Sequence, residues 1–404
     1  MRRPRHILFA LVLGLVVALT AAACGREEET SPGISDNEIK IGGSYPFSGP
    51  ASAYRTIADG VRAYFAKVNS EGGIDGRRIR FITYDDAYEP QRALQNARRL
   101  IERDRVFALF NTLGTANNVA IWDYTNREKV PQLFVATGAS IFGADPDKHP
   151  YTMGWQPDYV TESQAYAEYL KRTKPRARVA VLYQNDEFGK NLLGGFERAI
   201  RGSGIRIVAR ESYEVTDPSI ATQMRRLATS GADTFLDITT PRFSAQAIVG
   251  VARSGWRPLH ILNSVGASKR LVFQPVGLKP ATGIVSAAYF KDPEDPQWAN
   301  DAAMREYKAA MRRYAPRTDP NDTFATYGWA VAQTLVETLK KMDDPNRDSL
   351  MDAARSLDLE IPILLPGVRV KTSDSDYYPI ETVQLMRFDG QRWRLLDLRY
   401  TARR

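Results

Sequence analysis

The residues of this 404-residue chain that could do chemistry fall in short clusters of small, hydroxyl-bearing and amide side chains. They are Gly43-Ser44, Asn111-Thr112-Leu113-Gly114-Thr115, Thr137-Gly138-Ala139-Ser140, Thr239-Thr240 and Asn263-Ser264. None carries a charge. Hydroxyl donors, together with free N–H groups at helix starts, suit an anion such as the carboxylate of a small ligand. The same residue types cap helices and make turns, and any single position reads better that way. Five of them on one chain point to a small ligand with a polar head.

Catalytic readings find less support. The chain has no G-x-S-x-G, no H-E-x-x-H and no P-loop; Gly189-Lys190 lacks both the upstream glycine spacing and the following Ser or Thr. Asp85-Asp86 could be an acid–base pair, but its place before a Tyr-Glu-Pro turn fits capping better. His149 and His260 read as surface or packing residues. Three histidines and one cysteine leave little for a zinc site and nothing for an internal disulfide. No metal, no cofactor and no enzymatic activity are expected. Lys and Arg number 55 against 47 Asp and Glu, a net charge of +8. No basic run carries interleaved aromatics, so nucleic acid is not an expected partner.

These clusters sit at the ends of apolar runs that alternate with amphipathic segments. Strands are predicted at 39–42, 79–85, 107–111 and 132–136, and helices at 59–69, 90–101 and 116–127. The first helix shows Val61, Tyr64, Phe65 and Val68 on one face. A second alternating run spans 162–263, with strands at 179–183, 205–213, 234–238 and 260–263. Short apolar strands between helices argue for parallel sheets covered on both faces, and in such sheets ligands bind beyond the carboxyl ends of the strands. A strand at 284–290, long helical patterns at 296–314 and 324–342, and a shorter one at 347–357 follow. The chain ends in strands at 380–388 and 393–398, joined by the hairpin signal Asp389-Gly390.

The first residues bear on where the chain works. Arg2, Arg3 and Arg5 precede an uncharged apolar run over 7–23 that ends in three alanines. A basic start, a short apolar run and small residues before a cut make a secretory signal over 1–23. Cys24, the one cysteine, follows directly and resembles the lipid-bearing cysteine of a bacterial lipoprotein. Residues 24–36 then read as a polar tether. Removal of the three arginines takes the net charge from +8 to a mild +5.

From about Ile39 onward the chain resembles the leucine/isoleucine/valine-binding-protein family, type I periplasmic solute receptors of ABC importers. The resemblance is carried by Ser48-Gly49-Pro50 with Tyr54, by Val68-Asn-Ser-Glu-Gly-Gly-Ile-Asp-Gly76, and by Tyr84-Asp-Asp86 with Pro90. Val130-Pro131, Gly138-Ala139-Ser140, Asp186-Glu187-Phe188-Gly189 and Ser254-Gly255 complete it. It implies an α/β, two-lobed fold of two doubly wound parallel sheets joined by three crossovers, near 155–158, 287–290 and 368–372. The lobes would be 37–156 plus 289–370 and 157–288 plus 371–404. It further implies a small-molecule ligand (an amino acid or another organic acid) held in the cleft, an ABC permease as partner, and a monomer moored outside the cell membrane by its lipid. A ligand-sensing receptor of the same fold feeding a signalling partner is the alternative.

By the same resemblance, Tyr54 walls the cleft, and Thr115 supplies a carboxylate-binding hydroxyl. Gly138, Ala139 and Ser140 form a second anion loop. Phe188 is the aromatic of the opposite lobe, and Thr240 and Tyr289 are further cleft residues. Amino-acid-binding members place an acid after the strand matching 260–263 to pair with the ligand ammonium. Here that segment reads Asn263-Ser264-Val265-Gly266. The expectation is a carboxylate ligand without an α-ammonium, aromatic acids among the candidates. Asp237 lies inside a predicted strand, where its reach to the cleft is doubtful.

Overall fold

The computed structural model describes residues 31–402. The secretory signal expected over 1–23 and the lipid-bearing Cys24 lie outside these residues. The first sheet has four parallel strands in the order β2-β1-β3-β4: β1 (Glu38–Tyr45), β2 (Arg78–Asp85), β3 (Ala108–Phe110) and β4 (Gln132–Leu133). Helices α1 (Thr56–Ser70), α2 (Pro90–Arg98) and α3 (Thr115–Arg127) connect them. The strand predicted over 132–136 stops at Leu133, because Phe134 takes a φ of +54° and leaves extended backbone.

The chain then enters a second sheet of seven strands. It comprises β5 (Arg178–Gln184), β6 (Arg206–Tyr213), β7 (Thr234–Ile238), β8 (Leu259–Leu262), β9 (Val285–Ala288), β12 (Thr382–Phe388) and β13 (Trp393–Thr401). Helices α4 (Tyr159–Thr173), α5 (Glu187–Ala199), α6 (Ala221–Ala228) and α7 (Pro241–Ser254) cover it. The order is β13-β12-β9-β8-β7-β5-β6. This sheet corrects the expectation of two parallel sheets. The terminal hairpin adds antiparallel strands, β12 on β9 and β13 on β12, so the sheet is mixed. A tight turn at Asp389-Gly390, with Gly390 at φ +100°, can only return the chain antiparallel.

Between β9 and β12 the chain goes back to the first sheet. There it forms α8 (Ala302–Tyr314), α9 (Thr323–Lys340), α10 (Arg347–Ala354) and a short antiparallel pair, β10 (Asp358–Leu359) with β11 (Val370–Lys371). The helix predicted from 296 begins at Ala302, where the Asp301 carboxylate accepts the Met304 N–H at 2.9 Å. The chain thus passes three times between the sheets. Trp155 belongs to the core of the first sheet and Tyr159 to that of the second, which puts the first passage at 155–158. Ala287 and Tyr289 divide in the same way at the second. Tyr377 and Ile380 still pack in the first core, whereas Val383 packs in the second. The third passage therefore follows Ile380, later than the expected 368–372, because β11 and these two apolar side chains hold the segment.

Helix α9 is apolar on nearly every face and runs through the first core against α1. Two glycines set that contact. A Cβ on Gly60 would lie 2.0 Å from the Ala325 carbonyl, and one on Gly328 would lie 2.0 Å from the Ile57 carbonyl. The backbones touch where neither helix has a side chain. This crossing brings Tyr54 and Ile57, at the start of α1, against Phe324 and Tyr327 of α9; the Tyr54 and Phe324 rings are 4.9 Å apart. Among the described residues no helix is long and apolar enough to cross a membrane.

Candidate functional site

A cavity of about 100 Å³ lies between the two sheets at the carboxyl ends of their strands. Its walls are largely aromatic. The first-sheet side contributes Tyr54, Tyr88, Phe324 and Tyr327; the second contributes Tyr159, Phe188, Met386 and Trp393; Tyr289 and Phe290 come from the second passage. The rings brace one another in tilted and edge-on pairs. Tyr159 meets Phe188 at 5.3 Å, Trp155 meets Tyr327 at 5.1 Å, and Tyr289 meets Phe290 at 5.0 Å. Such pairs each add roughly 0.5–1.5 kcal/mol beyond area burial and fix the shape of the wall. Burial pushes the Tyr54, Tyr88 and Tyr289 phenols well above their ordinary range and the Tyr159 phenol up to about 12, so all remain neutral.

Tyr88 is held by its local sequence. Asp85 accepts the Ala87 N–H at 3.0 Å and Asp86 accepts the Tyr88 N–H at 2.8 Å, while Ala87 and Tyr88 sit at φ +51° and +67°. Asp86 also accepts the Ser44 hydroxyl at 2.7 Å. The acidic pair is therefore a turn-making device, which settles the capping reading over the acid–base one. The turn lays the Tyr88 ring against Gly114, where a Cβ would come within 2.8 Å of it.

Five of the eight expected site residues line the cavity: Tyr54, Thr115, Phe188, Thr240 and Tyr289. Thr115 opens α3, and its hydroxyl lies 2.6 Å from that of Thr137. Thr240 precedes α7; its N–H donates to the Tyr213 hydroxyl at 3.0 Å, and its own hydroxyl faces Gln184 Oε1 at 3.3 Å.

Gly138, Ala139 and Ser140, expected in an anion loop, are not among the residues that line the cavity. A Cβ on Gly138 would meet the Pro157 carbonyl at 2.6 Å, so this glycine serves close packing against the first passage, and its carbonyl accepts the Tyr159 N–H at 2.6 Å. The Ala139 N–H donates to Thr137 Oγ1 at 3.1 Å. The N–H and hydroxyl of Ser140 both donate to Asn191 Oδ1, at 3.2 and 3.1 Å. Donors already used within the protein cannot grip a ligand without being released.

Other strand-end hydroxyls are spent in the same way. Thr239 donates to Asp237 at 2.6 Å, and the N–H and hydroxyl of Ser264 donate to Glu162 at 2.7 and 2.6 Å. Burial raises the Glu162 carboxyl, which anchors the loop carrying Ser264 and Val265 to the cavity. Asp237 is buried and faces His260 Nε2 at 3.0 Å, so it does not reach the cleft. His149 stacks on Trp122 with ring centroids 3.8 Å apart. Both histidines are packing residues.

The lining residues missed by sequence reasoning include Tyr88, Gln156, Tyr159, Phe290, Phe324, Tyr327, Asp292, Met386 and Trp393. Tyr88 had a signal, since two acids in tandem before it predict the turn that aims it. Asp292 had none that separates it from Glu294 and Asp295. It is nevertheless the one charged side chain among the described residues that line the cavity. Burial pushes its carboxyl up to about 6.

Comparison with known proteins agrees with this architecture. A leucine/isoleucine/valine-binding protein homolog from Brucella abortus is 23% identical over 361 residues, covering 85% of this chain and 86% of that protein. A branched-chain amino acid ABC transporter protein from Thermus thermophilus, solved with bound valine, superposes with a TM-score of 0.82 at 18% identity, covering 91% of this chain and 98% of that one. An ABC-transporter solute-binding protein from Rhodopseudomonas palustris, in complex with 3,4-dihydroxybenzoic acid, gives 0.77 at 20% identity, covering 91% and 98%. Residues 38–392 match the periplasmic binding protein family, and the chain belongs to it, as a solute-binding protein similar to the Leu/Ile/Val-binding proteins.

Proposed function

We propose that this chain is the extracytoplasmic receptor of a branched-chain-amino-acid-type ABC importer, moored by a lipid on Cys24. It takes up a small carboxylate-bearing solute with an apolar or ring-bearing body by closing its lobes, and presents the closed form to the permease. The observation that carries this reading is the cavity itself. It lies between the sheets, is walled by aromatic rings from both, and is lined by Thr115 at the start of α3 and by Thr240 at the start of α7. The α3 start offers N–H groups to an anion, and the rings offer a dry slot to the solute's body. Contacts from both lobes to one solute favour the closed arrangement by their sum.

Two structural relatives support the carboxylate, since valine and 3,4-dihydroxybenzoic acid both carry one. A thermal-shift screen of amino acids, aliphatic acids, aromatic acids and amides tests the reading. A solute at about one hundred times its Kd is expected to add roughly 2.7 kcal/mol of stability. Stabilisation by amides or sugars alone contradicts it. Mass spectrometry of the exported protein tests the anchor; an unmodified Cys24 or a cut elsewhere overturns that part.

A further inference from the structure

Asp292 lies just past the second passage, and its carboxylate oxygen Oδ2 is buried without a hydrogen-bond partner among the described residues. One backbone N–H, that of Glu294 at 2.9 Å, donates to Oδ1. Lys269 and Lys308 act on Asp292 only through space, and the direct partners of the nearby lysines lie elsewhere. Lys269 pairs with Glu294 at 3.2 Å, Lys291 with Asp301 at 2.7 Å, and Lys308 donates to the Pro293 carbonyl at 2.6 Å. Glu294 and Asp295 also face it, each with a cation of its own, Lys269 for Glu294 and Arg392 at 3.2 Å for Asp295. A buried acceptor with acidic neighbours is costly unless a positive group meets it. The cavity is where such a group can arrive, and Tyr289 and Phe290 line the same part of the chain with ring faces that also favour a cation.

We propose that Asp292 is the counter-charge for a protonated amine on the solute, supplied from the second passage and not from the loop after β8. This rests on the solute-receptor reading and narrows it. The expectation of an amine-free ligand came from the missing acid in Asn263-Ser264-Val265-Gly266. Asp292 removes its premise, because an acid reaches the cavity by another route.

The test is calorimetric titration of the full chain, purified in detergent, with matched pairs: leucine against 4-methylpentanoate, and phenylalanine against 3-phenylpropanoate. The amine-bearing member of at least one pair is expected to bind tenfold or more tightly than its partner. In Asp292→Asn the ratio is expected to fall toward one, and in Asp292→Glu to recover in part. Thermal melts in the absence of solute show that the variants fold. They also add an independent readout, because removing an unpaired buried charge is expected to raise the Tm of Asp292→Asn at pH 7. Equal or tighter binding of the amine-free acid by the wild type, or an unchanged ratio in Asp292→Asn, overturns the inference and leaves the carboxylate reading standing. Binding of no member of either pair overturns the inference together with the reading beneath it.

Discussion

The Tyr54 hydroxyl donates to the Val265 carbonyl at 3.2 Å, joining the approach to α1 to the loop after β8. These residues belong to opposite sides of the cavity, so the bond latches the lobes. Loss of one such bond is worth about 0.5–1.5 kcal/mol, or roughly two- to tenfold in affinity when it forms only in the closed state. Tyr54→Phe is therefore expected to weaken solute binding by that factor while leaving the melting temperature of the solute-free protein nearly unchanged. Calorimetry and thermal melts check both halves of the statement.

Two of the strand-end clusters make opposite predictions. Thr115 lines the cavity at the start of α3, so Thr115→Ala is expected to cut affinity for a carboxylate ligand several-fold. Ser140 spends its donors on Asn191. Ser140→Ala is expected to cost about 1 kcal/mol of stability and to leave affinity unchanged. An affinity loss in Ser140→Ala equal to that of Thr115→Ala contradicts the assignment.

The contact of α1 with α9 is a packing constraint that one methyl group can break. Gly60→Ala and Gly328→Ala each press a Cβ onto a carbonyl of the facing helix. Each is expected to destabilise the fold by at least about 1–3 kcal/mol, read by thermal or chemical denaturation. Because this contact sets Tyr54 against Phe324, a variant that still folds is also expected to bind solute more weakly.

Asp86 links stability to pH. Burial raises its carboxyl from 3.8 to about 6, against the opposing hydrogen bonds from Ser44 and the Tyr88 N–H. An acid whose folded value is raised stabilises the fold in its protonated form. Its contribution is full below about pH 4, the unfolded value, and is lost as the pH rises through about 6. The size of that loss is about 3 kcal/mol. Asp86→Asn is expected to remove this part of the pH dependence, so the stability difference between wild type and variant shifts between pH 4 and 6 and is flat above. A difference that does not change over that window contradicts the buried, protonatable state.

Much of the fold was legible because it rests on local signals. The alternation of apolar strands with amphipathic helices, the helix start at Pro90, and the Asp389-Gly390 turn are all written in a few neighbouring residues. The mixed second sheet was not legible, since pairing β12 with β9 depends on where the chain lands after returning from α8–α10. The site divided along the same line. Tyr54 and Phe188 sit in motifs, whereas Tyr289 sits in none. Phe324 and Tyr327 lie on a helix that reads as pure core, and only its crossing with α1 turns them toward the cavity. Gly138 to Ser140 misled because a packing glycine and a donor-rich loop look the same in sequence whether their donors are free or spent.

The central claim is that one solute sits in the aromatic cavity and is held from both lobes. The most direct measurement is calorimetric titration of the best hit from the thermal-shift screen into wild type and into Ala288→Trp, whose new side chain fills the cavity from the end of β9. The account predicts one-to-one binding by the wild type and its loss in the filled variant, with the fold retained in thermal melts. Undiminished binding by a folded Ala288→Trp would place the solute elsewhere and contradict the account.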